Sequence, residues 1–137
     1  MGYIVETDLN YGESFVWSQY YTWGIGVSIG NTERYQSAGG DFNGYWQRAY
    51  ANSLTDLNYI TKNSNSAAYR GIANVLKAYL FQGLVDHFGD IPFTEALSGA
   101  IEDGSILAPK SDSAATIIYP ALVTMLDDAL ADLQLAE

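Results

Sequence analysis

The chain has 137 residues, 6 Lys and Arg against 16 Asp and Glu, a formal net charge of -10, and 48% hydrophobic residues. So few cations argue against a nucleic-acid binder, whose affinity comes largely from neutralising phosphates, and exclude a polybasic membrane-surface anchor. The apolar share supports a real core and the length suits one domain, while the absence of cysteine removes disulfides, thiolate catalysis and cysteine-bound zinc.

No uninterrupted run of about 18 apolar residues spans a bilayer. The start, Met1-Gly2-Tyr3 followed by Glu6 and Asp8, lacks the cationic opening and apolar run of a secretion signal. The chain therefore reads either as cytosolic or as a mature or trimmed sequence. Residues 1–44 combine many glycines with Tyr3, Tyr11, Phe15, Trp17, Tyr20, Tyr21, Trp23, Tyr35 and Phe42. Each interior Gly costs a helix about 1 kcal/mol against Ala, which predicts a loop-rich segment with one short helix, about Ser14 to Trp23, stopped by Gly24 and Gly26.

Residues 45–88 read as an antiparallel helix pair. Trp46, Ala49, Tyr50, Ser53, Leu54, Leu57 and Ile60 recur at steps of three and four on a helix ending near Lys62. After the polar turn Lys62-Asn63-Ser64-Asn65-Ser66, a second stripe runs through Tyr69, Ile72, Ala73, Val75, Leu76, Tyr79, Leu80, Leu84 and Phe88. So short a turn makes the two helices antiparallel. Gly89 then predicts a left-handed cap, with Pro92 beyond it. Residues 89–111 form a loop broken by Pro92, Gly99, Gly104 and Pro109, long enough to need a role or a short helical turn of its own.

A third helix, 112–135, is capped by Ser111 or Asp112 and carries Ile118, Leu122, Met125, Leu126, Ala129, Leu130 and Leu133 as its apolar stripe. Pro120 either kinks it or marks a first position after a short preceding turn. No later segment covers that stripe, so the sequence reads as the N-terminal piece of a longer helical array.

Candidate chemistry is sparse. His87, the lone histidine, could act as a general base oriented by Asp86 or Asp90, but a histidine at a helix C-terminus meets the negative dipole end, and no nucleophile motif accompanies it. Asp86, Asp90, Glu95, Glu102 and Asp103 offer oxygen ligands without calcium-loop spacing, so capping and solvated turns are the better use. Gly24, Gly26 and Gly30 lack the lysine and the register of a phosphate loop. No metal or cofactor is implied.

The informative excess is aromatic: 14% of residues, with 11 Tyr. Trp46, Tyr50, Tyr69 and Tyr79 sit at helical core spacing and read as packing residues. Trp23, Tyr35 and Phe42 lie in the glycine-rich segment. There, rings flanked by Asn31 and Arg34 either pack on the helices or present flat faces and hydrogen bonds to sugars. The candidate ligand-binding set is thus Trp23, Asn31, Arg34, Tyr35 and Phe42.

The stretch Tyr69 to Leu97 resembles the SusD/RagB family of outer-membrane nutrient-binding lipoproteins from Bacteroidetes. Ala78-Tyr79, Phe81, Leu84, Asp86 and Phe88-Gly89-Asp90-Ile91-Pro92-Phe93-Thr94-Glu95-Ala96 carry the likeness, supported upstream by Trp46 and Tyr50 and downstream by Pro109 to Asp112 and Leu126 to Ala129. The resemblance implies an all-α fold of tetratricopeptide-like helix pairs and no catalytic activity, while Gly89 and Pro92, which set the exit from the second helix, are read with Asp90 as structural. It also implies a lipid-anchored protein on the outer face of the outer membrane that passes glycans or related nutrients to a SusC-like TonB-dependent transporter. A scaffold that contacts the transporter without binding ligand is the alternative. The signal peptide and lipid-bearing Cys of such precursors are not in this sequence, and no binding residue transfers by motif.

Overall fold

The computed structural model describes residues 17–20, 32–36, 38, 40, 43–98 and 108–136. The chain divides into two compact units, Met1–Trp46 and Gln47–Glu137. In the first, a turn follows Trp17 and a short 3-10 turn spans Thr32–Arg34. Most of the expected helix from Ser14 to Trp23, with Gly24 and Gly26, lies outside the described residues.

From Asn43 the path is helical. α1 (Asn43–Gln47) runs into a π-type segment, Arg48–Leu54, and then α2 (Thr55–Asn63). The wider winding is visible at Thr55, whose hydroxyl donates to the carbonyl of Tyr50 five residues earlier at 2.8 Å. Ser64 leaves the helix with extended backbone and Ser66 enters the next in the same conformation, so three polar residues reverse the chain. The Arg70 guanidinium donates to the Ser64 carbonyl across this turn at 3.2 Å.

α3 (Ala67–Phe88) is the central helix and packs against both α2 and α4 (Tyr119–Gln134). α4 runs antiparallel to α3, because Gly71 near the start of α3 meets Ala129 and Leu133 while Asp86 near its end meets Tyr119. The approach at Gly71 is close: a Cβ there would sit 2.7 Å from Leu133 Cγ and 3.0 Å from the Ala129 carbonyl oxygen. Leu54, Leu80, Leu84, Ile91 and Ile118 are the largest fully buried side chains, each stabilising the fold by about 1.5–3 kcal/mol through loss of apolar surface from water.

Between α3 and α4 the structure departs from a plain loop. Ile91–Pro92 (β1) pairs antiparallel with Ser111–Asp112 (β2), Ile91 opposite Asp112 and Pro92 opposite Ser111. Among the described residues, otherwise helical, this short bridge is a strand pairing that the sequence did not signal. Ser113 caps the π-type segment Ala114–Ile118, and Pro120 falls in the first turn of α4. Pro120 thus lies where the π-type segment passes into α4, about two turns into the continuous helical run Ala114–Gln134.

Two expected stripes need correction. On α3, Tyr69 and Tyr79 are 65% and 44% exposed, and Ile72 and Val75 are exposed with them. The buried set is Gly71, Ala73, Ala78, Leu80, Phe81, Leu84 and Val85. On α4, Leu122 and Ala129 are buried, as is Ile118 just before it, whereas Leu126 and Leu130 are exposed. On α3 the reason is packing on two sides, with the small Gly71 at a close approach to α4, whereas α4 buries only the side that faces α3.

Candidate functional site

Three features of the molecule invite a functional reading, and their geometry separates them.

The densest polar constellation surrounds residues 89–94. Gly89 stops α3 with φ 74 and ψ -123, its N–H donating to the Val85 carbonyl at 2.8 Å. The positive φ agrees with a glycine-specific stop, but ψ corrects the expected left-handed helical cap to the mirror image of extended backbone. Asp90 then turns back and accepts the N–H of Ala114 at 2.8 Å, capping the start of the following helical segment. Ile91 is fully buried. The Pro92 carbonyl accepts the Tyr50 hydroxyl at 2.6 Å. Phe93 meets Phe81 edge-on with centroids 4.8 Å apart, and Phe81 meets Tyr50 edge-on at 6.2 Å. Each of the two π-type segments therefore reaches this loop, one through Tyr50 and one through Ala114.

Asp112 closes the constellation. One carboxylate oxygen accepts the Phe93 N–H at 3.1 Å, the Thr94 N–H at 2.7 Å and the Thr94 hydroxyl at 2.9 Å. The Thr94 N–H, aided by the hydroxyl and the Phe93 N–H and opposed by partial desolvation, holds its carboxyl below the usual carboxylate range. Burial, and then the charge of Asp112, push the Tyr50 phenol well above its ordinary value. Such perturbed groups mark functional sites and structural networks alike. Here the bonds of Tyr50 and Asp90 tie the loop to helical segments, and those of Asp112 tie it to β2.

His87 stands at the end of α3, beside this constellation in sequence. Its Nδ1 lies 2.6 Å from the Gly83 carbonyl within the last turns of α3. Asp86 accepts the Tyr119 hydroxyl at 2.6 Å, and Asp90 accepts the Ala114 N–H at 2.8 Å. Glu95, offered with them as a calcium ligand, accepts the N–H of Lys110 at 3.2 Å.

The second feature is aromatic. Tyr35 stacks on Trp17 with centroids 6.3 Å apart and planes 13° from parallel, and its hydroxyl donates to the Trp17 carbonyl at 3.2 Å. Tyr35 has φ 56, an uncommon backbone for a bulky residue, and is 66% exposed. Arg34, which ends the preceding 3-10 turn, is also exposed. Trp23, Asn31 and Phe42, the remaining candidate ligand residues, lie outside the described residues. Trp46 is half-buried, whereas its neighbour Tyr45, which the helical stripe did not include, is 8% exposed.

The third is an apolar groove of about 450 Å³ between α2 and α3. Leu57, Ala73 and Leu76 are among its lining residues, with Tyr59, Ile60, Tyr69 and Ile72 beside them. Tyr59 is 69% exposed. Sequence reasoning missed this groove because Tyr59 falls outside the predicted core stripe and carries no motif.

Comparison with known proteins bears on the whole chain. No match was found among curated proteins or among solved structures. The family model SusD-like_2, described as starch-binding associating with outer membrane, matches residues 5–137. With nearly its whole length matched, and with the helical order and Gly-Asp-Ile-Pro turn described above, the chain belongs to the SusD-like family of starch-binding, outer-membrane-associated proteins.

Proposed function

We propose that this chain serves as a non-catalytic glycan-capture protein on the outer face of the outer membrane, held there by a lipid anchor and passing its ligand to a SusC-like TonB-dependent transporter. The family match over residues 5–137 is the observation that carries this reading. The Trp17–Tyr35 stack supports a place for the ligand, since an exposed ring with its neighbour fixed beneath it offers a flat apolar face to a sugar ring at little entropic cost. Arg34, with Trp23, Asn31 and Phe42 from the same segment, completes the proposed binding set. Arg34 supplies donors to sugar hydroxyls.

The structural residues divide from this set by role. Tyr50, Gly89, Asp90 and Pro92 hold the α3–α4 connection and do not meet ligand. A neutral glycan also suits a chain of net charge -10 better than a polyanion.

Affinity electrophoresis and calorimetry against a panel of starch-derived and other oligosaccharides test the proposal. Binding to at least one neutral glycan is expected, weakened in Tyr35→Ala by about 1–3 kcal/mol, the scale of a lost aromatic stacking partner plus its ordering. Absence of binding to every glycan in the panel, or full affinity in Tyr35→Ala, would overturn it.

A further inference from the structure

Among the described residues, three that carry a side chain take a positive φ: Gln19 at 57°, Tyr35 at 56° and Leu97 at 60°. The left-handed region strains any residue with a Cβ, and glycine occupies it without that strain. Leu97 is accounted for by the fold. It is half-buried, and its carbonyl accepts the Asn58 side-chain amide at 3.4 Å. Tyr35 is accounted for by its ring, which stacks on Trp17 while its hydroxyl donates to the Trp17 carbonyl. Gln19 has neither explanation. Its side chain is exposed and has no hydrogen-bond partner among the described residues.

Two features make this informative. Glycine is plentiful nearby, since eight of the chain's 13 glycines fall within residues 1–44. A sequence so free with glycine keeps a long polar side chain where glycine would suit the backbone better, and a turn alone is better served by Gly or Asn. The second feature is place. Gln19 lies two residues beyond Trp17, in the turn whose Trp17 carbonyl anchors the phenol end of Tyr35. The turn therefore borders one rim of the Tyr35 ring, within the compact unit Met1–Trp46. Trp17 covers one face of that ring, so a sugar has the opposite face to stack on, and a stacked pyranose projects its hydroxyls outward around the rim.

We infer that Gln19 is a ligand-contacting residue of the glycan site, its side-chain amide hydrogen-bonding the hydroxyls of a sugar ring stacked on Tyr35. The inference rests on the glycan reading of the Trp17–Tyr35 stack. The amide carries an acceptor oxygen and two N–H donors, which match a pair of neighbouring hydroxyls that each donate and accept. The two residues divide the work: Tyr35 offers the apolar platform, and Gln19 adds the polar contact that a bare ring lacks. Strained backbone kept at both positions presents the two side chains together, in the manner of strain retained at a binding site.

The test titrates the full chain with maltoheptaose, cellohexaose and xylohexaose by isothermal calorimetry, and reads stability by urea unfolding. Gln19→Gly is expected to weaken binding of whichever of these the parent binds by about tenfold, while its urea midpoint stays level or rises as the strain is relieved. Gln19→Ala keeps the strain and should weaken binding equally with an unchanged midpoint, so it decides the matter if the glycine variant misfolds. Parent-like affinity in both variants overturns the inference and leaves the glycan proposal standing. Affinity lost only in step with a lowered midpoint overturns it as well, because Gln19 would then act on the fold and not on the ligand. A parent that binds none of the three sugars removes the inference, and the glycan proposal is then judged on its own wider panel and on Tyr35→Ala.

Discussion

Replacing Gly89 by Asn separates two kinds of helix stop that look alike in sequence. In a left-handed helical cap Asn is the best substitute for Gly, because its short polar side chain tolerates that conformation. At φ 74 and ψ -123 it gains no such tolerance, since this is the region that L-residues with a Cβ avoid. No atom lies within 4 Å of a Cβ built at Gly89, so the penalty comes from the backbone and not from a clash. Strained backbone of this kind costs about 1–3 kcal/mol. Reduced freedom of the unfolded chain returns about 0.4–1 kcal/mol, and the net expectation is a loss of about 0.5–2 kcal/mol for both Gly89→Asn and Gly89→Ala. Urea unfolding followed by circular dichroism measures this directly, with the slope expected unchanged and the midpoint lowered. If Gly89→Asn were as stable as the parent while Gly89→Ala was not, the residue would be an ordinary left-handed cap and the reasoning from ψ would be wrong.

Gly71 gives a contrasting case in which the clash decides the sign. An exposed helix interior would gain about 1 kcal/mol from Gly→Ala, but here the new Cβ presses on Leu133 and on the backbone oxygen of Ala129. Overpacking costs about 1–3 kcal/mol, so Gly71→Ala should be neutral to destabilising in the same unfolding assay, and a gain of about 1 kcal/mol would refute the close contact. Asp112 predicts acid sensitivity. Its folded pKa lies below its unfolded value, so its contribution is present above the unfolded carboxylate pKa of about 3.9 and is lost as pH falls through the folded one. Urea midpoints measured across this acid range should fall more steeply for the parent than for Asp112→Asn, and identical pH profiles would remove Asp112 from the account.

Much of the helical order was legible because long apolar periodicities at Ala49 to Leu57 and Ala73 to Leu84 leave little alternative to helices, and Asn63 to Ser66 leaves little alternative to a turn. Which side of each helix faces inward was less legible. α3 offers Tyr69, Ile72, Val75 and Tyr79 on one arc and Ala73, Ala78, Phe81 and Val85 on others, and hydropathy ranks the first arc as readily as the second. The structure chooses by closeness of approach, a criterion that favours Gly71 and that no hydrophobic count contains. The role of Asp112 was hidden for a different reason: its partners, Phe93 and Thr94, are eighteen or more residues away in sequence, and only the β1–β2 bridge brings them together. In the proposed binding segment, the excess of rings near Tyr35 was visible in composition, whereas its stacking partner Trp17 stands 18 residues away.

The bridge between Ile91–Pro92 and Ser111–Asp112, reinforced by the three hydrogen bonds to Asp112 and by Glu95 with Lys110, fixes both ends of the intervening sequence to the helical layer. Once the ends are fixed, the entropy of closing the connection grows only as the logarithm of its length, about 0.6 kcal/mol for each doubling. The helical layer therefore depends on the clasp at residues 91–95 and 110–112 more than on the length of chain that separates its two halves.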